Sequence, residues 1–198
     1  MPAHARMITA DDILPDAAFA RMRGQRRAEL MPVKRNRRVA LGPCCTFYFE
    51  CFETMLFQVQ EMLLVEKGGP EQLADELAAY NPLIPQGDEL VATVMFEIDN
   101  PVQRELFLGT RAGIENRFQL RLGEERITGI PEGDAERSRE DGKTSAVHFL
   151  RFRLSASQAA SFREPAVEAM IACDDHRYAH MAALNPATRA ELFRDLAC

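Results

Sequence analysis

Residues 37–66, RRVALGPCCTFYFECFETMLFQVQEMLLVE, decide how this chain is read. A strand-like run from Arg38 to Glu50, turned at Gly42-Pro43, feeds almost directly into a helix-like run from Phe52 to Glu66. The helix carries apolar side chains around most of its circumference, which places it inside the molecule. Thr54, Gln58 and Glu61 nonetheless recur at i, i+4 and i+7, one above another on a single face. A polar stripe on a buried helix requires partners, because unpaired buried polar groups are costly. The nearest supply is the basic cluster just upstream. The strand–helix junction is therefore the candidate site. Arg35, Arg37 and Arg38 would hold an anion, and Glu50, Thr54, Gln58 and Glu61 would form the polar face beside them.

Working outward, Thr9 to Asp12 has the spacing of a helix start. A helix is expected from about Ala10 into the twenties, with a break near Leu14-Pro15. A second short helix follows to about Met31, and Pro32 ends it. Downstream, Gly68-Gly69-Pro70 stops the central helix and starts another, Glu71 to Tyr80. Glu89 to Ile98 reads as a strand, and Asn100-Pro101 opens a helix. Arg117 to Arg121 and Arg126 to Ile130 flank a hairpin signal at Gly123. Residues 131–143, PEGDAERSREDGK, lack periodicity and are expected as an exposed, mobile loop. Ala146 to Leu154 alternates as a strand, Ser155 begins a short helix, and Ala166 to Ala172 is a strand or an apolar helix. Cys173 to His180 is expected as a polar loop, and Asn185-Pro186 caps a last helix.

Helices first, then strands and helices without strict alternation, indicate an α+β fold. The expectation is one domain over residues 1–198: a mainly antiparallel sheet, N-terminal helices, a buried central helix and a C-terminal helix. A chain of this size buries roughly 70% of its unfolded surface. No apolar run approaches the ~20 residues of a membrane span. The first residues, MPAHARMITADD, lack the apolar core of a secretory signal, so the reading is cytoplasmic.

The net charge of −6 is unevenly spread. Residues 21–38 hold eight basic side chains against one acid, which leaves −13 for the rest. Such asymmetry points either to an anionic partner or to ion pairs with the chain's own acidic body. Net acidity disfavours nucleic acid, whose nonspecific binding comes mainly from phosphate neutralisation. A homodimer stays open. Glu50, Glu53 and Glu61 flank the junction as acid–base candidates or as ion partners of the arginines. The five cysteines include no Cys-x-x-Cys pair, and buried reduced thiols are the simplest reading. Asp174, Asp175, His176 and His180 form the densest set of candidate metal ligands. Asp175, His176 and His180 are the metal candidates, for iron, zinc or manganese. No glycine-rich nucleotide loop and no nucleophile elbow is present.

The segments MITADDILP, KRNRRVALGPCCTFYFECFETMLFQVQEML, LAAYNPLIPQGDEL, TSAVHFLRFRLS and DDHRYAH, in that order, resemble a bacterial family, domain-of-unknown-function family 3501. The resemblance spans essentially the whole chain. The family's His-Pro-x-Tyr pattern reads here as His176-Arg177-Tyr178, without the proline. The resemblance implies a role beside rubrerythrin-type redox or peroxide-defence proteins, with a rubrerythrin-like or iron–sulfur protein as partner. Two functions follow as expectations. One is an accessory binding protein in such an oxidative-stress system. The other is a small metal-dependent enzyme that holds an anionic substrate on the arginine cluster.

Overall fold

The central helix forms where the sequence places it. In the computed structural model, which describes residues 6–132 and 144–196, it is α2, Phe52–Glu66. Cys51 is extended ahead of it, and its backbone N–H donates to Thr54 Oγ1 at 3.0 Å, which secures the first turn. Lys67, left-handed at φ 56°, ends it.

Before it, a short 3₁₀ turn (Ala10–Asp12) precedes α1 (Asp16–Asn36), and β1 (Arg38–Leu41) and β2 (Cys45–Phe49) form a hairpin. After it come α3 (Gly69–Tyr80), a 3₁₀ turn (Asn81–Leu83), β3 (Glu89–Phe96) and α4 (Pro101–Leu108). A third 3₁₀ turn (Ile114–Arg117) leads into β4 (Phe118–Leu122), β5 (Glu125–Thr128), β6 (Ile130–Pro131) and β7 (Val147–Arg153). The chain closes with α5 (Ala156–Arg163), β8 (Ala169–Cys173), β9 (His180–Ala183) and α6 (Pro186–Phe193).

The described strands form two antiparallel sheets, in the orders β1-β2-β3-β7-β6 and β5-β4-β8-β9. Residues directly opposite in an antiparallel pair share a face. In the larger sheet, Phe47 opposes Val94 and Phe49 opposes Ala92, and these face the smaller sheet. Phe47 meets Phe118 of β4 edge-on, with ring centroids 5.3 Å apart, so the two sheets share one core. The other face carries Tyr48 opposite Thr93, and Val91 opposite Arg151. Part of it is covered by α2, whose Met55, Val59 and Leu63 pack with Ile8, Leu83, Ile84 and Val91. The rest is left open, and that opening positions the site.

The fold is the expected α+β class, with four local corrections. The N-terminal region is one helix from Asp16, not two, and Pro32 lies inside it. Ala28 and Pro32 are both exposed, so the carbonyl that loses its N–H partner faces solvent, where water can take it. Pro131 is not loop but pairs with Leu150 in β6, and Glu132 just beyond it ion-pairs with Arg151. Residues 133–143 of that expectation lie outside the described residues. The predicted polar loop after Cys173 ends in a strand, because His180 opposes Cys173 and opens β9.

Candidate functional site

The uncovered part of the larger sheet is bounded by the last turn of α1 and the first turns of α2. Between them lies a groove of about 470 Å³. Its sheet floor carries Arg38, Tyr48, Thr93 and Met95; α1 contributes Met31, Lys34 and Arg35; the junction and α2 contribute Glu50, Thr54 and Gln58.

Glu50 sits at the bottom, 9% exposed. Thr93 donates its hydroxyl to Oε1 at 2.7 Å, and Thr54 reaches Oε2 at 2.7 Å. Burial pushes the Glu50 carboxyl above the usual carboxylate range, against the pull of the two hydroxyls and of Lys34 and Arg37. No basic side chain among the described residues lies within ion-pair distance of it.

The arginines divide by role. Arg37 is buried and already occupied. It grips Asp195 through two bonds of 2.7 and 2.8 Å, meets Glu191 at 3.2 Å, and donates to the Glu50 carbonyl at 3.1 Å. Burial opposes its charge, but the Asp195 bonds outweigh that and hold the guanidinium above its usual range. It ties the start of the hairpin to the end of α6. Arg38 is exposed, lies over the Tyr48 ring at 5.5 Å, and reaches Glu97 at 3.3 Å. Glu97 also accepts from Thr46 and Tyr48, each at 2.6 Å, and these bonds hold it below the usual carboxylate range. Lys34 sits 6.0 Å over the Phe57 ring. Lys34 and Arg35 make no ion pair among the described residues.

The groove thus gathers Arg35, Arg38, Glu50, Thr54 and Gln58, with Arg37 at its edge. Glu61 is not part of it: both its oxygens are held by Arg23, at 2.7 and 2.6 Å, one turn farther along α2. Sequence reasoning missed Tyr48, Thr93, Met95 and Glu97. Tyr48 could have been found from its position between two inward phenylalanines. Thr93 arrives through strand pairing, which no local signal encodes. Gln60 was also missed; it is buried and clasps the backbone of Leu14, accepting from its N–H at 2.9 Å and donating to its carbonyl at 3.2 Å.

The metal candidates do not come together. Asp175 is held by Arg177, which lowers its carboxyl to about 2. His176 is 88% exposed. His180 turns its ring onto Tyr178, centroids 4.5 Å apart, where it also passes over Gly42. A Cβ on Gly42 would lie 2.5 Å from that ring, so only glycine fits this turn. Among the described residues, no group of three or more His, Cys, Asp or Glu side chains is arranged to hold a metal ion. The thiols are held protonated by burial: Cys51 is pushed up to about 12, Cys173 up to about 11, and Cys45 also upward.

Two packed antiparallel sheets with a helical layer over one of them, and an open cationic groove where that layer ends, define a small α+β protein. The chain belongs to the family described as Protein of unknown function (DUF3501), whose model matches residues 7–196. It is similar to a protein of unknown function from Burkholderia pseudomallei K96243, known from a crystal structure. Identity is 36%, the match covers 96% of this chain and 100% of that one, and the TM-score is 0.88. Comparison with curated proteins gives no match. No helix among the described residues is long and apolar enough to cross a membrane.

Proposed function

We propose that this protein binds a small organic anion in the groove between the end of α1, the β1–β2 hairpin and the start of α2. The observation that carries the reading is the convergence of Lys34, Arg35 and Arg38 on one cavity of about 470 Å³. Among the described residues, two of these cations have no carboxylate partner, and the third has an exposed one at 3.3 Å. Surface cations usually find acids nearby in an acidic chain; here Asp195 and Glu61 are taken by Arg37 and Arg23, and Glu50 lies buried on the groove floor with hydroxyl donors. The remaining wall, Met31, Tyr48 and Met95, would cover an apolar body behind the charged group.

The test is a thermal-shift screen of small carboxylates and phosphate esters, repeated on an Arg35→Ala/Arg38→Ala variant. A ligand at a hundred times its Kd stabilises by about 2.7 kcal/mol, a readily measured rise in Tm. The expected result is a rise that the double variant loses. No rise with any anion of the screen removes the reading.

A second reading, a small enzyme acting on the bound anion, draws on Glu50. A buried carboxyl held above its usual range keeps a proton more tightly than an exposed one and can pass it to a bound anion. Turnover that Glu50→Gln abolishes, with anion binding retained, is its mark. The setting beside a rubrerythrin-type redox system, with a rubrerythrin-like or iron–sulfur partner, rests on the family resemblance alone. In that setting the chain would serve as an accessory binder.

A further inference from the structure

The cations at the mouth of the groove call for an anion, but an anion alone leaves its floor unexplained. Glu50 is a buried carboxyl whose two oxygens each accept one hydroxyl, from Thr93 and from Thr54. Those are neutral donors. The Arg37 guanidinium spends a bond on the Glu50 carbonyl and its charge on Asp195 and Glu191. Lys34 is drawn toward the Phe57 ring. Buried carboxylates are ordinarily paired or neutral. This one has no cation within ion-pair distance among the described residues, and it lines a cavity open to solvent that Gln58, Lys34, Arg35 and Arg38 also line.

A simple organic acid would satisfy the mouth and add a second negative group near Glu50. A molecule that carries its own cation would satisfy both ends: its anionic group at Arg35 and Arg38, its ammonium on Glu50, each a charge-assisted contact. We infer that the ligand of the groove belongs to the amino-acid class, an anionic group and a protonated amine on one small molecule, with Glu50 as the amine-recognising residue. This deepens the anion-binding reading and rests on it. Thr54 and Thr93 position the carboxylate from the α2 and β3 sides, so recognition is assembled by elements distant in sequence. Gln58 stands one helical turn beyond Thr54, within the same wall, as a neutral contact for the ligand body.

The experiment is titration calorimetry on the full chain with matched probes. Leucine, 4-aminobutanoate and 6-aminohexanoate vary the spacing of the two charges; 4-methylpentanoate, butanoate and hexanoate are the same bodies without the amine. The expected result is that at least one amino acid binds about tenfold or more tighter than its amine-free partner, and that Glu50→Gln erases that preference, the amine-free acid binding the variant at least as tightly as the parent. The comparison on the unaltered protein stands even if Glu50→Gln fails to fold. Amine-free acids binding as tightly as the amino acids would overturn the inference and leave anion binding intact. A preference for the amine that survives in Glu50→Gln would overturn the assignment to Glu50. If no probe of either kind binds, the inference falls together with the reading beneath it.

Discussion

Arg37 shows how one side chain can be read correctly as a cation and still not as a free one. It is 3% exposed, and its charge is consumed by Asp195 and Glu191. Removing one member of such a buried set strands the others. Arg37→Ala should therefore cost about 3–5 kcal/mol, measured by urea unfolding, because Asp195 loses the guanidinium that binds both its oxygens. A cost under about 1 kcal/mol would mean that Asp195 reaches water when Arg37 is gone. Glu50 gives a prediction of a different kind. Its folded carboxyl holds a proton more tightly than an unfolded one, whose pKa is about 4.3. The stability tied to this group is complete below that value and is lost as pH rises through the raised folded value. Glu50→Gln has no such loss. The variant's stability relative to the parent should climb as pH rises above about 4 in denaturation series, and parallel profiles would show that Glu50 ionises as if exposed.

At the scale of elements, what was legible had local punctuation. The bounds of α2 follow from the extended Cys51 and the Gly68-Gly69 stop, and α4 and α6 follow from Asn100 and Asn185, whose side chains accept from the first-turn N–H groups. Arg35, Arg38, Glu50, Thr54 and Gln58 could be grouped from sequence because strand, turn and helix are contiguous there. Glu61 lay too far along α2 and was claimed by Arg23 on α1, a pairing between helices that spacing within one helix cannot show. β9, His180–Ala183, was hidden because four residues without a β-branched side chain carry no strand signal; pairing with β8 makes it a strand. Pro32 misled because its cost depends on where the lost bond points. That cost is still present, so Pro32→Ala should stabilise the protein by about 1–2 kcal/mol, the gain in α1 being partly offset by a freer unfolded chain. Destabilisation instead would mean that α1 needs its bend at this position.

At the scale of the molecule, the two sheets and the helical layer depend on one another. Phe47 faces Phe118 across the sheets and lies 6.4 Å from Phe152 within its own, with no exposed surface. Behind the same strands, α2 packs through Met55 and Val59. The smaller sheet packs on the core it shares with the larger, and the strands of the larger sheet carry a second core under α2 on their other face, so losing the larger sheet undoes both. Unfolding should accordingly be a single transition, and the buried thiols report on it from three places. Cys45 and Cys173 lie in the core between the sheets, and Cys51 sits at the start of α2. Under native conditions all three should resist alkylation, both because they are covered and because burial keeps them protonated. With added urea they should become reactive at one shared midpoint, read site by site by mass spectrometry of the labelled peptides. Phe47→Ala should move that shared midpoint down by the equivalent of about 3–5 kcal/mol without separating the sites. If Cys51 labels at lower urea than Cys45 and Cys173, the helical layer and the groove open while the sheets stay folded. The ligand would then be expected to suppress labelling of Cys51 selectively, because a molecule bridging Arg35 of α1 and Glu50 just past the end of β2 ties the helical layer to the sheet.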